Sequence, residues 1–206
     1  MKIPINTTPD PDITARPGLF ITFEGGEGSG KTTQIKRLQS KLEALGYDVV
    51  TTREPGGTPE AEILRSLIVQ RDSAKWTPMA EILLLMAARH MHLKTLIEPA
   101  LQNNSIVICD RFTDSTRAYQ AFGHGMNVHD VNALDSIVTG GFDPDLTFIL
   151  DLDPETGLQR AGKRLSEDES GEDKFENLGL AFHEKLREGF LQIAASAPER
   201  CIVLAA

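Results

Sequence analysis

The 206-residue sequence predicts an α/β fold, a parallel five-stranded sheet with helices on both faces and a small mobile lid. Three observations lead there. Short apolar runs that read as strands alternate with longer stretches of helical periodicity, the pattern of a doubly wound sheet. The segment from Gly25 to Thr32 satisfies GxxxxGK[ST] between the first strand and the first helix, which makes the sheet of P-loop NTPase type. A chance match in a chain this long is on the order of one in a hundred at average residue usage. Finally, the acidic, glycine-containing run Glu167 to Asp173 interrupts a late helical pattern as the tip of a lid would.

In order, Leu19 to Phe23 reads as a buried strand, and Gln34, Ile35, Leu38, Leu42 and Leu45 then recur at helical spacing until Gly46 stops them. The loop between them, Gly25, Gly26, Glu27, Gly28, Ser29, Gly30, Lys31, Thr32 and Thr33, can turn its amides toward phosphate oxygens, helped by the positive end of the helix dipole. Lys31 would reach terminal phosphates and the Thr32 hydroxyl would bind Mg²⁺. Asp48 to Arg53 is a second strand, followed by the loop Glu54-Pro-Gly-Gly-Thr-Pro59. A helix from Pro59 to Gln70 is capped by Thr58 and expected to bury Ile63, Leu64, Leu67 and Ile68. After a connector at Arg71 to Thr77, a long helix runs from Pro78 to about Asn103. Its segment Ile82 to Ala88 is apolar on nearly every side, so it is expected to be buried against the sheet and a second subunit. Arg89 ends that run, and a guanidinium there needs a partner.

Ser105 to Asp110 is the third strand, and Asp110 and Arg111 fall at its carboxyl end, the ligand-binding edge of an open α/β sheet. Thr113 to Phe122 and Val128 to Thr139 are helices, and Leu146 to Leu152 is the fourth strand. Pro154 opens a helix carrying Arg160, Lys163 and Arg164. Lys174 to Ala197 is a last helical region with Phe182, Leu186, Phe190 and Ile193 at core spacing, and Cys201 to Leu204 is the fifth strand.

A chain of this length buries about 70% of its unfolded surface as one domain. Residues 1–18, rich in proline, are expected to form a flexible tail ahead of a single P-loop domain at 19–206 with its lid at about 160–174. Cys109 and Cys201 fit no metal spacing and suit a reducing compartment, so the expected location is cytoplasmic. A formal charge of −9 argues against non-specific binding to nucleic acid or an anionic membrane, and no apolar run reaches the roughly 20 residues of a membrane span. NKxD and DxxG guanine-switch motifs are absent from the sequence. Arg53, Arg89 and Arg111, each near the end of an element, suit an acceptor phosphate.

Thr52-Arg-Glu-Pro-Gly-Gly-Thr58, Ala87-Ala-Arg89, Asp110-Arg111, Ser115-Thr-Arg-Ala-Tyr-Gln120 and Asp143-Pro-Asp-Leu146 stand in this order after the P-loop. Together they resemble bacterial thymidylate kinases over about Leu19 to Leu204. The resemblance implies transfer of the γ-phosphoryl of ATP to dTMP, with Mg²⁺ and a homodimer paired through long helices. It implies that Lys31 and the loop amides hold ATP, that Thr32 and Asp110 serve the metal, and that Arg111 and Arg53 meet the acceptor phosphate. Arg89 would reach the thymine edge, Ser115, Thr116 and Gln120 would line the acceptor site, and Tyr119 would crowd the sugar's 2′ side. Glu27 occupies a loop position whose acidic form is compensated by a lid cation, here Arg164 or its neighbours. Three departures are evident. Leu85 stands where the family usually stacks a phenylalanine on thymine, Lys174 stands where the lid commonly has an arginine, and the sequence ends at Ala206, before the family's adenine-contacting turn and closing helix. From them one expects altered pyrimidine discrimination and altered donor contacts.

Overall fold

The structure, a computed structural model, describes residues 17–70, 75–165 and 174–206. Most of the tail expected at 1–18, part of the connector and the lid tip at 167–173 lie outside these residues. Among the described residues five strands form one parallel sheet in the order β2-β3-β1-β4-β5: β1 Leu19–Glu24, β2 Val49–Arg53, β3 Ile106–Asp110, β4 Leu146–Asp151 and β5 Cys201–Ala205. The helices are α1 Lys31–Ala44, α2 Pro59–Val69, α3 Pro78–His92, α4 Glu98–Gln102, α5 Thr113–Thr116, α6 Val128–Thr139, α7 Pro154–Leu165 and α8 Leu180–Ser196.

Two of these helices continue through wider π turns. Leu93–Ile97 joins α3 to α4, and Arg117–Gly123 follows α5, where the sequence predicts one short α-helix. The predicted region Lys174 to Ala197 is also broken, into a 3₁₀ turn at Glu176–Leu178 and α8, because Gly179 at φ 82° cannot continue a helix.

The strand period of two assigns the two faces of β1. Ile21 and Phe23 pack with Ile35 of α1 and with Ile108 and Leu150. Phe20, on the opposite face, packs with Leu93, Ile97, Leu101, Val107 and Phe112. Leu186, Phe190 and Ile193 of α8 meet Ala118, Tyr119 and Ile149 in a further cluster.

The apolar face expected of α2 needs correction. Ile68 is fully buried, but Ile63 is 66% and Leu67 43% exposed, and the residues that join Ile68 inside are Ala61 and Val69. Within one chain the segment Ile82 to Ala88 is buried on one side. Ile82, Met86 and Ala88 are inside while Leu83 is 50% exposed. In both cases the chain's own packing covers one side of the helix only. Thr58 caps α2 as expected, its hydroxyl accepting from the Ala61 amide at 3.3 Å.

Candidate active site

The site lies at the carboxyl ends of β1, β2 and β3. Gly25 leaves β1 at φ 129°, and Gly28 and Gly30 take φ 66° and 89°, left-handed conformations that let the loop wrap and feed α1. The loop is backed from outside the motif by Gly157 of α7, where a Cβ would collide with the Glu27 carbonyl oxygen. Lys31 is 8% exposed, and its Nζ donates to the Gly25 and Gly26 carbonyls at 3.2 and 3.1 Å. Burial, and then the neighbouring Arg111, pull the Lys31 ammonium below its ordinary proton affinity. Thr32 donates to Asp110 Oδ2 at 3.3 Å, bringing the two expected metal-site oxygens together.

A broad trough runs along the loop past Lys31, Thr32, Asp110, Arg111, Arg53 and Arg160. Arg53 is half exposed and pairs with Glu62 at 3.2 Å, at the trough's edge. Among the candidate lid cations Arg160 lines the trough, whereas the Arg164 side chain lies outside the described residues.

Arg111 stands between the trough and a second space, a cleft of about 730 Å³ that it helps to line with Glu27, Leu85, Arg89, Ser115, Thr116, Tyr119 and Gln120. Its backbone takes φ 71°, a left-handed conformation for a non-glycine residue. Its guanidinium donates to Gly25 O at 3.0 Å, Ser115 Oγ at 3.2 Å and Glu27 Oε1 at 2.9 Å, and lies 5.0 Å from the Tyr119 ring centre. Tyr119 also donates its hydroxyl to Glu27 Oε1, and its ring meets Phe175 edge-on. Burial pushes the Glu27 carboxyl up, but Arg111 and Lys31 outweigh it and bring the group down to about 2. Among the described residues the cation paired with the Glu27 carboxylate is Arg111, which its position just after β3 projects across the loop.

Arg89 is 3% exposed and donates to oxygen atoms of Glu54, Asp135 and Thr116 as well as to Met86 Sδ at 4.0 Å. Nε donates to Glu54 Oε2 at 2.8 Å, Nη1 to Asp135 Oδ1 at 3.1 Å and Nη2 to Thr116 Oγ1 at 2.9 Å. Burial would raise the Glu54 carboxyl, yet Arg89 and His92 hold it below the ordinary range. His92 Nδ1 lies 3.0 Å from the other Glu54 oxygen. Arg89 thus enters the cleft wall with its orientation fixed, and of its five N–H donors one, on Nη2, is left for a ligand.

The sequence missed Glu24, Glu54, Asp135 and Gly157. Glu24 is fully buried and accepts from the Phe112 amide at 2.7 Å and from Ser115 Oγ at 2.5 Å, so it fixes the start of α5. Burial and the nearby Asp114 carboxylate push it up to about 7. Strand parity was the available signal, since Glu24 shares the face of Phe20.

A phosphate-cradling loop, a hydroxyl and a carboxylate placed for a cation, and an adjoining cleft lined by the buried Arg89 and the partly exposed Arg111 can position two phosphorylated molecules end to end. Comparison with known proteins narrows this. The thymidylate kinase family model matches residues 23–206. A thymidylate kinase of Caulobacter vibrioides is 51% identical over 187 residues, covering 91% of this chain and 88% of the relative. One of Bradyrhizobium diazoefficiens is 50% identical over 188 residues, covering 91% and 81%. The crystal structure of thymidylate kinase from Ehrlichia chaffeensis superposes with a TM-score of 0.74 at 37% identity, covering 91% of this chain and 92% of that one. With a matching family model over most of its length and relatives at this identity, the chain belongs to the thymidylate kinase family.

Proposed function

We propose that the chain transfers the γ-phosphoryl group of ATP to dTMP, giving dTDP and ADP for dTTP synthesis. The observation that carries the reading is Arg111, whose one guanidinium borders both the P-loop trough and the 730 Å³ cleft. The loop amides and Lys31 hold the donor phosphates, and Arg111 with Arg53 holds the acceptor phosphate. Arg89, Thr116, Gln120 and Leu85 surround the base, and Tyr119 lies against the sugar. Thr32 and Asp110 offer hard oxygen donors, a set suited to Mg²⁺, which binds through one or two protein oxygens together with substrate phosphates. When bound, Mg²⁺ neutralises charge on the phosphate oxygens. Arg160 provides a lid cation on the same trough.

A coupled assay with ATP, Mg²⁺ and a panel of monophosphates tests the reading. dTMP should be the best acceptor, above UMP, CMP and AMP. Equal use of all four, or nucleotide binding without turnover on any of them, overturns it.

A homodimer is part of the proposal. Helix α3 packs between α2 and α6, and Ile63, Leu67, Met79, Leu83 and Ile137 on these helices stay exposed, more apolar surface than solvent favours. Sedimentation at micromolar concentration should return twice the chain mass, and a monomer would count against it. A cytoplasmic location accords with Cys109 and Cys201, both buried and unpaired. Among the described residues no helix is long and apolar enough to cross a membrane.

A further inference from the structure

Gln120 of the cleft wall belongs to a polar cluster for which phosphoryl transfer has no use. Glu81 of α3 is 4% exposed, and Gln120 in the π turn after α5 is 1% exposed. Gln120 Nε2 donates to Glu81 Oε1 at 3.1 Å, and Lys174 Nζ donates to Glu81 Oε2 at 2.7 Å. His124 Nε2 lies 3.6 Å from Glu81 Oε1, too far for a hydrogen bond.

An ionised carboxylate can only accept, so the amide group of Gln120 must turn its NH₂ toward Glu81. Its Oε1 is thereby turned away, and this buried oxygen has no hydrogen-bond partner. Gln120 lines the same cleft as Leu85, Arg89 and Thr116. A buried carbonyl oxygen left unpaired is destabilising, and an N–H donor entering the cleft would relieve that cost.

We infer that Glu81 is a positioning residue for base selection: it fixes the Gln120 amide so that the cleft offers an acceptor to a pyrimidine bearing a ring N–H, and disfavours one whose ring nitrogen is itself an acceptor. The inference rests on the reading of this cleft as the pyrimidine monophosphate site. Lys174 holds the second carboxylate oxygen, so both oxygens of Glu81 are engaged and its orientation is fixed. Leu85 can supply apolar contact but no hydrogen bond, which leaves the discrimination between thymine and cytosine to polar groups such as this amide.

Glu81→Gln removes the constraint, because a second amide can pair with Gln120 in either orientation. The experiment compares kcat/KM for dTMP, dCMP and N3-methyl-dTMP, the last lacking the ring N–H, in wild type and in Glu81→Gln. Preference for dTMP over N3-methyl-dTMP should fall by about 10-fold, the worth of one neutral hydrogen bond, mainly through a higher KM for dTMP. In the exchanged variant Glu81→Gln with Gln120→Glu, the new carboxylate again presents an acceptor to the cleft, and the preference should return. An unchanged ratio in a Glu81→Gln protein with wild-type melting temperature overturns the inference, as does equal loss on all three acceptors. If Glu81→Gln does not fold, the exchanged variant decides alone: a retained preference supports the mechanism and a lost one refutes it. A wild type that prefers none of the three removes the pyrimidine-site reading itself, and the inference with it. A wild-type preference that both variants leave unmoved removes only the role of Glu81.

Discussion

Lys31→Ala should lower kcat by about 10²-fold or more, the cost of one lost preorganised electrostatic donor, with the fold intact and dTMP affinity little changed. The reason lies in the state of the ammonium. It is buried, and its two hydrogen-bond acceptors are the neutral carbonyls of Gly25 and Gly26, which hold the group in place without neutralising it. Its charge is therefore free to meet charge that accumulates as the γ-phosphoryl leaves. Desolvation and Arg111 already disfavour the protonated form, so removing the ammonium relieves a cost of the unliganded protein. That is why the melting temperature should hold. Lys31 lines the trough and is not among the residues of the 730 Å³ cleft, so the acceptor should not sense its loss. Single-turnover kinetics with calorimetric titration of each nucleotide would check this. A variant that keeps kcat but loses dTMP would refute the assignment of Lys31 to the donor.

What could be read from the sequence follows the range of the signal. The five strands are apolar runs bracketed by turn residues, a local pattern, and their observed limits differ from the expected ones by a residue or so. The P-loop is also local, since one continuous segment supplies it. The face of α2 was misjudged, and the covering of α3 left open, because periodicity identifies an apolar side without saying what covers it. Ile63 and Leu83 are apolar and exposed, and nothing within the chain distinguishes them from Ile68 and Ile82.

Partners were less legible than positions. Arg89 at the end of an apolar run required a counter-charge, but Glu54 lies 35 residues before it and Asp135 lies 46 after it. Only the packing of α3 against the β2 loop and α6 joins them. Gly157 carries no motif and matters because the P-loop backbone comes close to α7. Glu27 carries no local sign of its own partner either, since the structure pairs it with Arg111, 84 residues away.

That pairing shapes the second large effect, expected at Arg111. Arg111→Ala should weaken dTMP binding by about 100-fold, near the upper end for loss of a charged hydrogen-bond partner, and ATP binding by at least 10-fold less. Two causes combine. The acceptor phosphate loses its guanidinium, and Glu27 loses the chief cation that holds its carboxyl at about 2. The remaining Glu27 carboxylate, only partly exposed, then faces an incoming phosphate dianion. Adding Glu27→Gln to Arg111→Ala should recover about 10-fold of dTMP affinity by removing that repulsion, a coupling a double-mutant cycle measures directly. Arg111→Lys should stay well below wild type, because one ammonium cannot reproduce the planar fork that spans Gly25 O, Ser115 Oγ and Glu27 Oε1. The left-handed backbone at φ 71° is strained for alanine as for arginine, so strain does not explain a difference between the two. Calorimetric titration of each variant with dTMP and with a non-hydrolysed ATP analogue separates these effects. Normal dTMP binding with lost ATP binding in Arg111→Ala would place donor and acceptor the wrong way round, and the absence of rescue by Glu27→Gln would remove the electrostatic coupling while leaving the direct phosphate contact standing.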